Sequence, residues 1–213
     1  MTEVPVPLPT GLRVIVADSN VLYSRSLRDY LLYAADQDIV AVHWSAQILQ
    51  DMTDHLAANR LVDAMTDTYP APLVTPETKD FARLEGYVRP DDDDRDVTAT
   101  ALAAEADTIC TSNLKHFPEP VMDDLGLVIM TPDTLFVQLI DDCSSQMVAA
   151  HQSSVRHFKG ATDASTLAAI RKAGAARTAD RMATALGLAD GNRLSEVGGQ
   201  GRHWDRCPEW ARC

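Results

Sequence analysis

Arg13-Val14-Ile15-Val16-Ala17-Asp18-Ser19-Asn20 decides the fold of this chain. Four apolar residues in a row, three of them β-branched, form a buried strand that runs straight into an acid and two turn formers. In an open α/β sheet, ligands bind outside the carboxyl ends of the strands, so Asp18 is a candidate site residue by position. An aspartate after a strand also serves as a turn or cap residue, and the remaining sequence has to decide between the two.

Outward from that strand, Val21, Leu22, Leu27, Leu31, Leu32 and Ala35 recur at helical spacing and predict a helix over Val21 to Ala35. Ile39 to Val42 suits a second strand. Ser45 then precedes Ile48, Leu49, Met52 and Leu56 as the N-cap of another helix. Leu61 to Tyr69 continues helically until Pro70-Ala71-Pro72 stops it. A short strand at Leu73-Val74 and a helix near Glu77 to Leu84 follow. The acid run Asp91-Asp92-Asp93-Asp94 leads into an alanine-rich helix over Val97 to Ala106. Thr108 to Thr111 and Leu127 to Met130 are further strands, and Thr131-Pro132-Asp133 opens a helix through Ile140 with proline at its first position. Strands alternating with helices give the α/β class, a parallel sheet flanked by helices.

Beyond Asp141 the pattern changes to two helical segments, Ser144 to Phe158 and Ala164 to Leu186, separated by Lys159-Gly160. The expected organisation is a flexible leader at 1–10, a sheet domain at 11–140, a C-terminal helical extension at 141–188 and a disordered tail at 189–213. Charge follows the same division. The net charge is −12, yet residues 11–140 carry 22 acids against 9 Lys and Arg, whereas residues 141–213 carry 8 against 10. So acidic a body repels nucleic acid, which argues against a polyanionic substrate unless metal ions or a local basic patch intervene. The four cysteines have no paired spacing, so a disulfide framework is not expected. No apolar run approaches the roughly 20 residues of a membrane span, and the start has no signal-peptide pattern, so the expectation is a cytoplasmic protein with no membrane partner.

Four residues stand where this architecture places chemistry. Asp18 ends the first strand, Asp51 lies on the polar side of the second helix, Asp94 opens the alanine-rich helix, and Asn113 ends a later strand. Carboxylates held close repel one another, and a hard divalent cation with oxygen ligands, Mg²⁺ or Mn²⁺, neutralises them. Each also has a plain alternative: a solvated helix face for Asp51, an N-cap for the run at Asp91 to Asp94, an Asx turn for Asn113. Arg25 and Arg28, just after Asp18, are either phosphate contacts or a solvated face. His43, His55 and His116 share no metal-ligand spacing, and His203, Cys207 and Cys213 lack the pairing of a zinc site.

Two families open this way. The first strand with Leu27-Arg28-Asp29-Tyr30-Leu31 resembles both a response-regulator receiver domain and a PIN-domain ribonuclease. A receiver opens with an acidic pair, where this chain has Asp18-Ser19, and needs a lysine followed by a small residue or proline, where Lys115 precedes His116. The PIN resemblance extends further. Trp44-Ser45-Ala46-Gln47-Ile48-Leu49-Gln50-Asp51 resembles that family's second-helix segment, Asp93-Asp94-Arg95-Asp96-Val97-Thr98-Ala99-Thr100-Ala101 its third-acid motif, and Thr111-Ser112-Asn113-Leu114-Lys115-His116-Phe117-Pro118 its final segment. The helical extension resembles that of one bacterial VapC-type toxin subgroup.

The resemblance implies a PIN-like fold and a metal-dependent endoribonuclease, the toxin of a toxin-antitoxin pair. Its partners would be an RNA substrate and a cognate antitoxin protein, and it would form a homodimer. Asp18 and Asp94 would hold Mg²⁺ or Mn²⁺, Asp51 would position or complete the site, and Asn113 would orient the first aspartate or the substrate. Two departures bear on this: Asp51 stands for the usual glutamate, and His116 stands where many relatives have a fourth acid. They favour one metal over two, with His116 ligating a softer ion such as Mn²⁺ or contacting substrate. A PIN-like scaffold that binds RNA or protein without catalysis is the second reading, and a receiver domain the third.

Overall fold

The computed structural model describes residues 13–56, 62, 65, 66, 68, 73–87 and 92–188. The leader at 1–10, Asp91, the side chain of His55, most of Leu61 to Tyr69 and the tail at 189–213 with His203, Cys207 and Cys213 lie outside the described residues.

Four strands form one parallel sheet: β1 (Arg13–Ala17), β2 (Val40–His43), β3 (Thr108–Cys110) and β4 (Val128–Met130). Their order is β2-β1-β3-β4, so the chain builds outward to β2 on one side of β1, then returns to build outward on the other. The order reverses between β1 and β3, and the crevice left at such a reversal is where open α/β sheets take ligands. Ile15, Val16, Ala17, Ile109 and Cys110 are fully buried, as expected of strands covered on both faces. Register pairs Ala17 with Cys110, so the next residues, Asp18 and Thr111, emerge side by side. The ladder continues through them: the Asp18 amide donates to the Cys110 carbonyl at 3.0 Å and the Thr111 amide to Met130 at 2.9 Å.

The helix expected over Val21 to Ala35 is two, α1 (Ser19–Leu22) and α2 (Arg25–Ala35). Ser24, extended at φ −75° and ψ 105°, restarts the backbone as the N-cap of α2, a position serine favours. Next comes α3 (Ala46–Leu56), where Ser45 Oγ accepts from the Ile48 amide at 3.1 Å, the N-cap expected from sequence. After α4 (Thr78–Ala82), α5 (Asp92–Ala103) begins inside the acid run, five residues ahead of Val97, because carboxylates in a first turn are favoured by the helix dipole. A further helix, α6 (Glu119–Leu125), has no counterpart in the sequence expectation. In α7 (Pro132–Asp142) Thr131 Oγ1 caps the Thr134 amide at 3.1 Å, with Pro132 at the first position.

The extension comprises α8 (Ser144–Arg156), α9 (Asp163–Lys172) and α10 (Ala176–Ala185). The single helix expected over Ala164 to Leu186 breaks because Gly174 adopts φ 95°, a left-handed conformation that ends a helix. These helices dock on the sheet domain. Leu167, Ile170 and Met182 share one apolar cluster with Ile15 and Ile109. Polar ties reinforce it: the Thr178 amide donates to Asp133 at 2.8 Å, Arg181 to Asp141 at 2.5 Å, and Arg13 of β1 to Asp142 at 2.8 Å. The change of charge at residue 141 therefore marks no break in packing. No described helix is long and apolar enough to cross a membrane.

Candidate functional site

Asp18 is 6 % exposed at the carboxyl end of β1, immediately before α1. Its carboxylate takes three neutral donors: Ser19 Oγ at 3.2 Å, Thr111 Oγ1 at 2.6 Å, and the Asn20 side-chain amide. Thr111, fully buried, is the keystone of this arrangement. Its hydroxyl donates to Asp18 and accepts from the Asn20 amide and from the Asn113 backbone N–H, each at 3.0 Å, which uses its one donor and both lone pairs. Asn20 closes the ring by accepting from the Ser112 amide at 2.9 Å. Among the described residues no lysine or arginine pairs with Asp18. Its charge reaches the neighbouring Cys110, whose thiol is pushed far up, by burial first and by Asp18 second.

From Asn113 the network continues to a second acid. The Asn113 amide group lies 2.9 Å from His116 Nδ1, and that nitrogen lies 2.7 Å from Asp94 Oδ2. An ionised carboxylate can only accept, so Nδ1 carries the proton and donates to Asp94. The Asn113 side-chain nitrogen Nδ2 lies against the same ring nitrogen, and Nε2 makes no hydrogen bond among the described residues. The His116 side chain is 35 % exposed, which leaves that nitrogen within reach of a ligand. Asp94 itself is 8 % exposed on the first turn of α5. Asp18, Thr111, Asn113, His116 and Asp94 are thus one hydrogen-bonded chain spanning the β1–β3 reversal.

The other candidates lie around this chain. Asp51 is half-buried on α3, which packs against α1; its carboxylate accepts from Gln47 at 2.8 Å and its carbonyl from Tyr23 at 2.8 Å. Asp96 accepts from the α3 cap residue Ser45 at 2.6 Å and so ties α5 to α3. Arg28 is buried and donates to the Leu22 carbonyl and to Asp29, both at 3.1 Å. Arg25 leans the other way, over the Phe158 ring of the extension at 3.4 Å. Of the residues singled out from sequence, the structure unites Asp18, Asp94, Asn113 and His116, and it directs Arg25 and Arg28 into the seam with Asp29 and the extension. Thr111 and Asn20 join this site without being among the candidates the sequence offers. Their only signal was position, a hydroxyl at one strand end and an amide two residues past another.

Among the described residues, no three His, Cys, Asp or Glu side chains gather closely enough to cage a metal ion. The donor set suits a different kind of cation site. Mg²⁺ holds several waters and commonly takes one or two protein carboxylates, and Asp18 has a carboxylate oxygen, Oδ1, whose one described partner is Ser19 at 3.2 Å. A nearly buried carboxylate surrounded by neutral donors is a fitting anchor for such an ion. No family model, no curated protein and no solved structure matches this chain.

Proposed function

We propose that this chain is a metal-dependent endoribonuclease of the PIN-domain, VapC-toxin type. The observation that supports it is the hydrogen-bonded chain from Asp18 through Thr111, Asn113 and His116 to Asp94. Its members come from three of the segments that carry the family resemblance, and the chain lies at the reversal of strand order. On this reading Asp18 and Asp94 hold Mg²⁺ or Mn²⁺, which supplies charge neutralisation at a phosphodiester and a more acidic water for hydrolysis. Thr111, Asn20 and Ser19 fix the Asp18 carboxylate in one orientation. His116 does the same for Asp94 and offers Nε2 to the substrate or the ion, while Asn113 sets the ring. Asp51, on the neighbouring helix, positions or completes the site. RNA, an antitoxin protein that masks the site, and a second copy of the chain are the partners this reading entails, in the cytoplasm.

The test is cleavage of RNA by the purified protein with Mn²⁺ or Mg²⁺ and with EDTA. Asp18→Ala abolishes metal-dependent product while circular dichroism stays that of the folded chain; full activity in this variant overturns the assignment. Among the described residues no three acids gather, and a second reading is a PIN-like module that binds RNA or protein without cutting it. Such a binder yields no Mn²⁺-dependent product at any metal concentration and still retains labelled RNA or a protein partner.

A further inference from the structure

A cavity of about 400 Å³ opens between α2, the end of α8 and the start of α9. This lies within the size range of small-molecule sites, ~300–1,000 Å³. Its wall is composed as an anion site requires. Two cations stand on it, Arg25 and Lys159. The Arg25 guanidinium carbon sits over the Phe158 ring at 3.4 Å and the side chain is 65 % exposed; it forms a long ion pair with Asp29 through Nε at 3.8 Å and makes no hydrogen bond among the described residues. Stacking of this kind holds the planar group in place and leaves its N–H edge for a bidentate oxyanion. Lys159 is exposed and has no ion-pair partner among the described residues.

Hydroxyls complete the polar part. Ser154 is 5 % exposed, lines the cavity, and has no hydrogen-bond partner among the described residues. Ser154 Oγ is not one of the enclosed unpaired atoms among the described residues, so the hydroxyl opens onto the cavity and is available to a ligand there. Ser26 and Thr166 also line the space, and their hydroxyls are likewise unpaired among the described residues, whereas Ser165 is engaged in the α9 capping box with Thr162. Ala161 and Ala169 give one side a small apolar surface, with Ile170 buried behind it. The one acid present, Asp29, is half-buried and already faces Arg28 at 3.1 Å. The cavity is also lined in large part by residues beyond 141, where the charge balance of the chain turns positive.

We propose that this cavity binds a phosphate-bearing ribonucleotide, with Arg25 and Lys159 on the phosphate, the Ser26, Ser154 and Thr166 hydroxyls on ribose and phosphate oxygens, and the base against Ala161 and Ala169. The nucleotide is either a free mononucleotide or one residue of an RNA strand. The site uses none of the five residues of the hydrogen-bonded chain Asp18, Thr111, Asn113, His116 and Asp94, so it stands or falls apart from the nuclease assignment.

The test uses the full chain in EDTA, so that no cleavage occurs. AMP and inorganic phosphate are titrated calorimetrically, and a labelled oligoribonucleotide is followed by anisotropy, for the wild type, Lys159→Glu and Ser154→Leu. Lys159 is exposed, so its charge reversal leaves folding intact even if the bulkier Ser154→Leu does not. A free mononucleotide is the ligand if AMP binds more tightly than inorganic phosphate and Lys159→Glu weakens it roughly tenfold or more. The RNA-linked form is the ligand if AMP is not bound and the oligoribonucleotide loses roughly tenfold in affinity in the same variant. The proposal is overturned if AMP binds no better than inorganic phosphate and the oligoribonucleotide binds wild type and Lys159→Glu alike.

Discussion

Two histidine–aspartate pairs in this molecule have the same chemistry and opposite surroundings. His116 donates to Asp94 at 2.7 Å at the carboxyl edge of the sheet, with its side chain 35 % exposed. His151, on α8, is fully buried: Nδ1 meets the Tyr30 hydroxyl of α2, and Nε2 lies 3.2 Å from Asp163 of α9. Tyr30 also packs edge-on against Phe136 of α7 and against the His151 ring, so this pair joins four helices around one ring. Burial lowers the His151 pKa more than Asp163 raises it, so the ring is a neutral linker. A second contact of the same seam stacks Tyr33 on His157. A histidine with both nitrogens engaged inside a seam holds elements together, whereas one with a nitrogen left over at a crevice is free to act on something else.

This contrast can be broken by parallel substitutions. If the chain is the nuclease proposed above, Asp94→Asn lowers Mn²⁺-dependent RNA cleavage by ~100-fold or more, about 3 kcal/mol in the barrier, with little change in melting temperature. Asp163→Asn is expected to leave the rate per folded molecule unchanged, and a comparable loss there would erase the distinction. In urea unfolding, His151→Ala should cost about 2–4 kcal/mol, since it opens a cavity and strands the Tyr30 hydroxyl. The matching His116→Ala should cost under about 1 kcal/mol. Tyr30→Phe removes one hydroxyl and leaves His151 Nδ1 unpaired, for an expected loss of about 1–2 kcal/mol by the same measurement.

The smallest effect is on pH dependence. Because the folded pKa of His151 lies below its ordinary value of 6.5, the unfolded chain binds the proton more readily. The stability tied to the neutral ring is therefore complete above pH 6.5 and is lost as pH falls from there toward the folded value. The urea midpoint of the wild type should decline over that acid window, and in His151→Phe that part of the decline should vanish. An unchanged profile in the variant would assign the titration elsewhere.

The two regions also differ in how far sequence reveals them. A run such as Val14-Ile15-Val16-Ala17 announces a buried strand, and a polar residue at its end announces a site, so Asp18 and Asn113 could be found from composition and place. The acid run was harder. Charge alone could not say which of Asp91 to Asp94 matters, and what distinguishes Asp94 is His116, which approaches it from 22 residues away. Thr111 could not be identified without the pairing of β1 with β3. His151 was hidden for another reason: it falls on the buried face of α8 one turn after Met147, and a histidine at an apolar position gives no local sign of its partners. The helix break at Gly174 was legible in principle, since glycine inside an alanine-rich pattern is a stop signal, yet helical periodicity resumes on both sides of it and masked it.

Asp18 and Thr111 meet across 93 residues of sequence. A chain leaving the ribosome at ~5–20 residues per second carries the first of these for on the order of 5–20 s before the second exists. During that interval the carboxylate has neither its hydroxyl donor nor the central strand that supports it. Whatever this crevice does is therefore withheld from the nascent chain, and it begins only once synthesis has passed the third strand and the two halves of the sheet have closed.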